Sequence, residues 1–124
     1  MRVLYVDDDR INTLLFEETC RCAGGIEVAC AATGAEALEL AAGFAADALV
    51  IDLHLPDTNG FELLPALRRA LRAETLPAFL CTADEPALVA EQAAAAGFDG
   101  CWTKPVAVET MLAELHRADG GPAA

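Results

Sequence analysis

Short runs of branched and aromatic residues alternate along this chain with longer segments whose apolar positions recur every three or four residues. Five such runs stand out: "RVLYV" at 2 to 6, "IEVAC" at 26 to 30, "ALVID" at 48 to 52, "PAFLCT" at 77 to 82 and "GCWTK" at 100 to 104. Each has the length and composition of a β-strand. The intervening segments read as helices, marked by Ile11, Leu14 and Leu15 in the first and by Ala37, Leu38, Leu40 and Ala41 in the second, a spacing that gathers apolar side chains on one helical face. Because the strand runs are nearly all apolar, both faces of the sheet should be covered, as happens when parallel strands are joined by crossover helices. The pattern predicts a doubly wound (βα)₅ α/β domain. Helix limits are marked by Thr33, followed by Glu36 at capping-box spacing, and by Gly24-Gly25 and Gly97, which suit the ends of the first and fourth helices.

A length of 124 residues suits a single core, and a hydrophobic fraction of 55% is that of a packed globule rather than a disordered chain. Residues 1–118 are expected to form the domain. The last six, "DGGPAA", offer Gly-Gly-Pro and nothing apolar to dock, and read as a flexible tail over 119–124. Eight basic against twenty acidic side chains leave a net charge of −12, which disfavours direct binding to nucleic acid or to anionic membranes. No apolar run approaches the roughly 20 residues of a membrane span, and the start lacks a secretory signal pattern, so a cytoplasmic protein is expected. The five cysteines, Cys20, Cys22, Cys30, Cys81 and Cys101, show neither Cys-x-x-Cys spacing nor paired histidines, and read as buried thiols behaving as small hydrophobes rather than as a disulfide or zinc framework.

In an open parallel sheet, functional groups collect where the strands end at their carboxyl side. The first strand is followed by Asp7, Asp8 and Asp9, the third ends in Asp52, the fourth in Thr82 and the fifth in Lys104 before Pro105. Carboxylates brought within about 4 to 6 Å repel by roughly 1 to 4 kcal/mol per pair unless a cation joins them. A hard divalent ion such as Mg²⁺ suits an oxygen-only set without Cys or His, and the ammonium of Lys104 suits a phosphate. Asp9 is the member expected to face solvent.

These features resemble the receiver domains of two-component response regulators, over residues 2 to 118: the acidic pair Asp7-Asp8, Asp52 within "LVIDLHLPDTNG", Thr82-Ala83, and Lys104-Pro105 approached by "AAGFDGCWTKP". The resemblance, closest to the stand-alone chemotaxis type, implies a flavodoxin-like five-stranded parallel sheet in the order 2-1-3-4-5. It also implies that Asp52 accepts a phosphoryl group from a histidine kinase or phosphotransfer protein. Mg²⁺ would be held by Asp7, Asp8, Asp52 and the backbone carbonyl of His54, with Thr82 and Lys104 contacting the phosphoryl oxygens. The output would be a switch in binding to a downstream target protein, with room for a weak or phosphorylation-dependent dimer.

Two departures from the family pattern matter. Asn59 stands where Asp is usual, and Cys101 stands three before the lysine, where receivers usually carry an aromatic ring. Trp102 follows but should face the other side of the sheet, so the readout is expected to run through the loop after strand four and through helix four, with Cys101 passive. The rival readings are a haloacid-dehalogenase-like phosphohydrolase, which needs a second Asp where His54 stands, a flavodoxin-like FMN carrier, whose phosphate an acidic first loop would repel, and a phosphorylation-independent pseudo-receiver. A self-phosphorylating switch rather than a turnover enzyme is the expectation.

Overall fold

The computed structural model describes residues 1–73, 75–83, 86–104 and 108–120. Strands and helices alternate: β1 (Arg2–Val6), α1 (Arg10–Ala23), β2 (Glu27–Ala31), α2 (Gly34–Ala41), β3 (Ala48–Asp52), α3 (Gly60–Leu71), β4 (Ala78–Thr82), α4 (Pro86–Ala96), β5 (Gly100–Thr103) and α5 (Val108–Gly120). The strands form one sheet in the order β2-β1-β3-β4-β5, each neighbouring pair parallel. This is the (βα)₅ architecture that the alternation of apolar runs predicts. The helix α5 reaches Gly120, two residues beyond the expected end of the domain, and residues 121–124 lie outside the described residues, as do Asp84 and Pro105.

Side chains of a strand alternate between faces, and here the alternation builds two cores. Leu4, Val6, Leu49, Ile51 and Leu80 pack with Ala37, Ala41, Leu63, Leu64, Leu67, Val89 and Ala93 of α2, α3 and α4. Val3, Tyr5, Val50, Phe79, Cys81 and Trp102 pack on the opposite face with Phe16, Cys20, Met111 and Leu115 of α1 and α5. Tyr5 stacks on Phe16, with ring centroids 4.5 Å apart, and Phe79 on Trp102 at 4.7 Å. Cys101 and Trp102 do face opposite sides, as the strand period requires.

The face that α1 buries is not its apolar stripe. The stripe Ile11, Leu14 and Leu15 that marks α1 as a helix points outward, with exposures of 71%, 45% and 55%, while Thr13, Phe16 and Cys20 face the sheet. Asp9 caps the helix by accepting from the Ile11 and Asn12 amides, and the Tyr5–Phe16 stack fixes which face turns inward; periodicity identifies a helix without saying which stripe is buried. The thiols are also not uniformly buried: all five are free, and Cys22 is exposed while Cys20, two residues earlier, is buried.

The amino end of α2 has its first amides fully occupied. Thr33 Oγ1 accepts from the Glu36 amide at 3.0 Å, and Glu36 reaches back to the Ala32 amide at 2.6 Å. Asp57, from the loop between β3 and α3, accepts from the Gly34 and Ala35 amides at 2.8 and 3.0 Å. These backbone donors hold the Asp57 carboxyl below its ordinary pKa. A depressed carboxyl stabilises the fold above its unfolded pKa of about 4, and that contribution is lost as pH falls through the lower folded value. Asp57→Asn should therefore lower the melting temperature at pH 7, with the gap from wild type closing below pH ~4; thermal melts across pH 2.5–7.5 measure it, and a gap constant over that range would contradict the capping role.

Candidate functional site

The carboxyl edge of the sheet gathers the polar groups that the strand ends supply. Asp7 follows β1 and Asp52 closes the neighbouring strand β3; both are buried, whereas Asp8 is exposed. One oxygen from each of the three carboxylates lies within 4.8 Å of the others. Lys104, just past β5, donates from Nζ to Asp52 Oδ2 at 2.8 Å and approaches Asp7 Oδ2 at 3.2 Å. Its position is set by the main chain, because the Lys104 amide donates to the Thr82 carbonyl at 2.7 Å. Thr82, at the end of β4, is fully buried. His54 is exposed two residues after Asp52, and its amide approaches Asp52 Oδ1 at 3.4 Å.

Electrostatics at this edge are a contest between burial and the ammonium. Burial raises the Asp52 pKa, Lys104 opposes it and Asp7 adds to it, with a net rise. Burial works against the Lys104 ammonium, but its bonds and proximity to Asp52 and Asp7 outweigh that, so its pKa is raised and the charge retained. Three carboxylates and one ammonium leave the cluster anionic. Its donors are all oxygens, with neither sulfur nor imidazole in the set, which is the chemistry of a hard divalent cation such as Mg²⁺ rather than zinc. Asp9 stays out of the cluster and serves as the cap of α1.

Two residues that the strand-end argument passes over orient Asp7. Tyr5 Oη lies 3.4 Å and Asn12 Nδ2 3.3 Å from Asp7 Oδ2, and the Asp9 amide donates to Oδ1 at 2.9 Å. Burial, first of all, pushes the Tyr5 phenol above its ordinary range, so it remains a neutral donor. Tyr5 was findable in principle, being two positions before Asp7 and hence on the same face of the strand; Asn12 was not, because its reach depends on how α1 docks. Asn59 caps α3 by accepting from the Glu62 amide at 3.0 Å. A β-carbon at Gly60 would stand 2.6 Å from Leu80 Cδ1 and 3.1 Å from the Asp52 carbonyl, so this glycine lets α3 begin directly against the end of β3.

The response regulator receiver domain model matches residues 3–116. Among relatives, the transcriptional regulatory protein KdpE of Mycobacterium tuberculosis is 36% identical over 118 residues, which are 94% of this chain and 50% of the relative. The virulence sensor protein BvgS of Bordetella bronchiseptica is 33% identical over 123 residues, 95% of this chain and 10% of the relative. The chain thus spans half or less of these relatives. Among solved structures, the chemotaxis protein CheY4 of Vibrio cholerae superposes with a TM-score of 0.86 at 32% identity, covering 94% of this chain and 97% of that one.

Removing one charge from an anionic cluster relieves repulsion. In metal-free buffer at low salt, Asp8→Asn should raise stability by about 0.5–1 kcal/mol, a few degrees in Tm, and less at 0.15 M salt. Millimolar Mg²⁺ should then raise the Tm of wild type more than that of the variant. Equal Mg²⁺ shifts in the two proteins would show that Asp8 does not serve the cation.

Proposed function

Because the chain belongs to the response regulator receiver domain family, we propose that it is a phosphoryl-accepting switch with Asp52 as acceptor. The observation that carries this reading is the Asp52 carboxylate held at 2.8 Å by Lys104 inside a cluster of carboxylates whose oxygens lie within 4.8 Å. An Asp52 oxygen forms the O–P bond as the N–P bond of a phosphohistidine donor breaks, and that bond's electron pair returns to the donor's imidazole. Lys104 then has a phosphoryl oxygen to pair with in place of the bare carboxylate, and the Thr82 hydroxyl, at the end of the adjoining strand, donates to another. Asp7, Asp8, Asp52 and the His54 carbonyl are the groups that would hold Mg²⁺, which when bound neutralises charge on the phosphoryl oxygens.

The donor is a histidine kinase or a histidine phosphotransfer protein, and its docking surface includes the outward stripe of α1. Ile11, Leu14 and Leu15 are large apolar side chains left exposed on a helix that starts three residues after Asp7, so a protein seated there brings its histidine to the acidic edge. Output is a change in binding to a downstream protein, in a cytoplasmic setting, by a switch unit over residues 1–118, with the residues from 119 on dispensable for it although α5 runs to Gly120. Dimerisation, where it occurs, is weak or follows phosphorylation. The chain performs its own phosphorylation and hydrolysis rather than turnover of an external ester, in keeping with His54 at the position where a phosphohydrolase needs a second carboxylate.

The small side chain of Cys101 limits how the switch can be read out. It packs with the cluster under α4 and borders a recess of about 200 Å³ lined by Ala90, Ala93, Phe98 and Gly100, among others. A thiol cannot act as a swinging ring, so the loop after β4 and α4 move together while Cys101 stays passive.

Two measurements test this account. Acetyl phosphate with Mg²⁺ should label the protein once, and Asp52→Asn should reduce labelling to background; undiminished labelling of that variant would place the acceptor elsewhere. With beryllofluoride as phosphoryl mimic, amide NMR of Cys101→Ala should retain the α4 shifts of wild type, whereas Thr82→Ala should lose most of them. Loss of the response in a folded Cys101→Ala protein would make the thiol part of the path.

A further inference from the structure

The carboxyl end of α3 carries three of the eight basic residues of a chain with net charge −12, Arg68, Arg69 and Arg72. With Pro65 they line an open groove of about 820 Å³. Arg68 is fixed in place: Nη2 donates to the Leu76 carbonyl at 2.7 Å, and Nη1 lies where a β-carbon on Gly97 would come within 2.7 Å. Its Nε is buried with no hydrogen-bond partner among the described residues. Arg69 and Arg72 are exposed, and no carboxylate among the described residues pairs with either.

Arg72 occupies the left-handed cap of α3, with φ 54° and ψ 41°, and is the one non-glycine residue with positive φ among the described residues. Glycine is the residue that such a cap favours. An arginine at the end of a helix gains from the helix dipole, but that gain requires neither a strained position nor three guanidinium groups around one concavity. Guanidinium forks match carboxylates two bonds at a time. A groove this size exceeds what a single small anion fills, and the acidic remainder of the surface repels a nucleic-acid backbone that extends beyond the groove.

We propose that this groove docks an acidic peptide segment of a partner protein. It lies at the far end of α3 from Asp52, because Gly60 starts that helix against the Asp52 carbonyl and the helix is twelve residues long, a rise of about 16–18 Å. A partner held there leaves the phosphoryl-accepting edge open, so docking serves as a tether compatible with either state of Asp52.

The test uses the full chain, ¹⁵N-labelled, titrated with an octaglutamate peptide in 25 mM NaCl. Amide shifts are expected to concentrate in residues 66–73, with affinity falling at least tenfold by 250 mM NaCl. Arg69→Glu/Arg72→Glu should weaken binding more than tenfold while the rest of the amide spectrum keeps its wild-type dispersion; Arg69→Lys/Arg72→Lys should fall between the two, as lost forks with retained charge predict. Unchanged binding by the charge-reversed protein, or shifts centred elsewhere, would overturn the proposal. So would displacement of the peptide by equimolar inorganic phosphate, which would make this a small-anion site, or tighter binding of a single-stranded oligonucleotide.

Discussion

The ammonium of Lys104 lies 2.8 Å from one carboxylate oxygen of Asp52 and 3.2 Å from one of Asp7; without it two nearly dry carboxylates would face each other across the ends of adjacent strands. Folding accepts this arrangement because the rest of the sheet leaves no alternative position for either group. Parallel pairing of β1 with β3 sets Val6 beside Ile51, which carries Asp7 and Asp52 to the same edge, and β5 brings Lys104 through its backbone bond to Thr82. The cluster remains short of positive charge after Lys104 is counted. That deficit is what a hard divalent cation would relieve.

The two-sided construction of the sheet separates the chemistry from its possible outputs. Asp7 and Asp52 share strand parity with the residues packed on α1 and α5, whereas Thr82 shares it with those facing α2, α3 and α4. Asp52 and Thr82, at the ends of neighbouring strands, therefore belong to opposite faces of the sheet. Cys101 places a small thiol beneath α4, where it packs with Val89, Ala93 and Phe98.

Charge and apolar surface are distributed unevenly in a way that matches these layers. Exposed Ile11, Leu14 and Leu15 stand near the acidic edge, while the arginines of α3 stand at the opposite end of the molecule. A chain of net charge −12 thus carries two exposed surfaces of different chemistry, one apolar beside the carboxylate cluster and one basic at the far end of α3.

Strand positions, their order in the chain, and the parallel sheet were legible in the sequence because a strand buried on both faces must be apolar throughout, and five such runs separated by helical segments admit few folds. The gathering of acidic residues was legible for a related reason: in a parallel sheet all strand ends point one way, so Asp7, Asp8, Asp52 and Lys104 had to meet at one edge. The opposite facing of Cys101 and Trp102 needed only the period of two. Whatever depends on how separate elements dock was not legible. The burial of Phe16 rather than Leu14 or Leu15, the reach of Asn12 to Asp7, the hold of Asp57 on the first turn of α2, and the pinning of Arg68 between Leu76 and Gly97 each join segments whose distance is set by packing angles and loop paths. Local pattern determines which residues can form an element and which ends carry charge. Tertiary structure alone decides which stripe of that element is dry, because burial belongs to the contact between elements and not to either one.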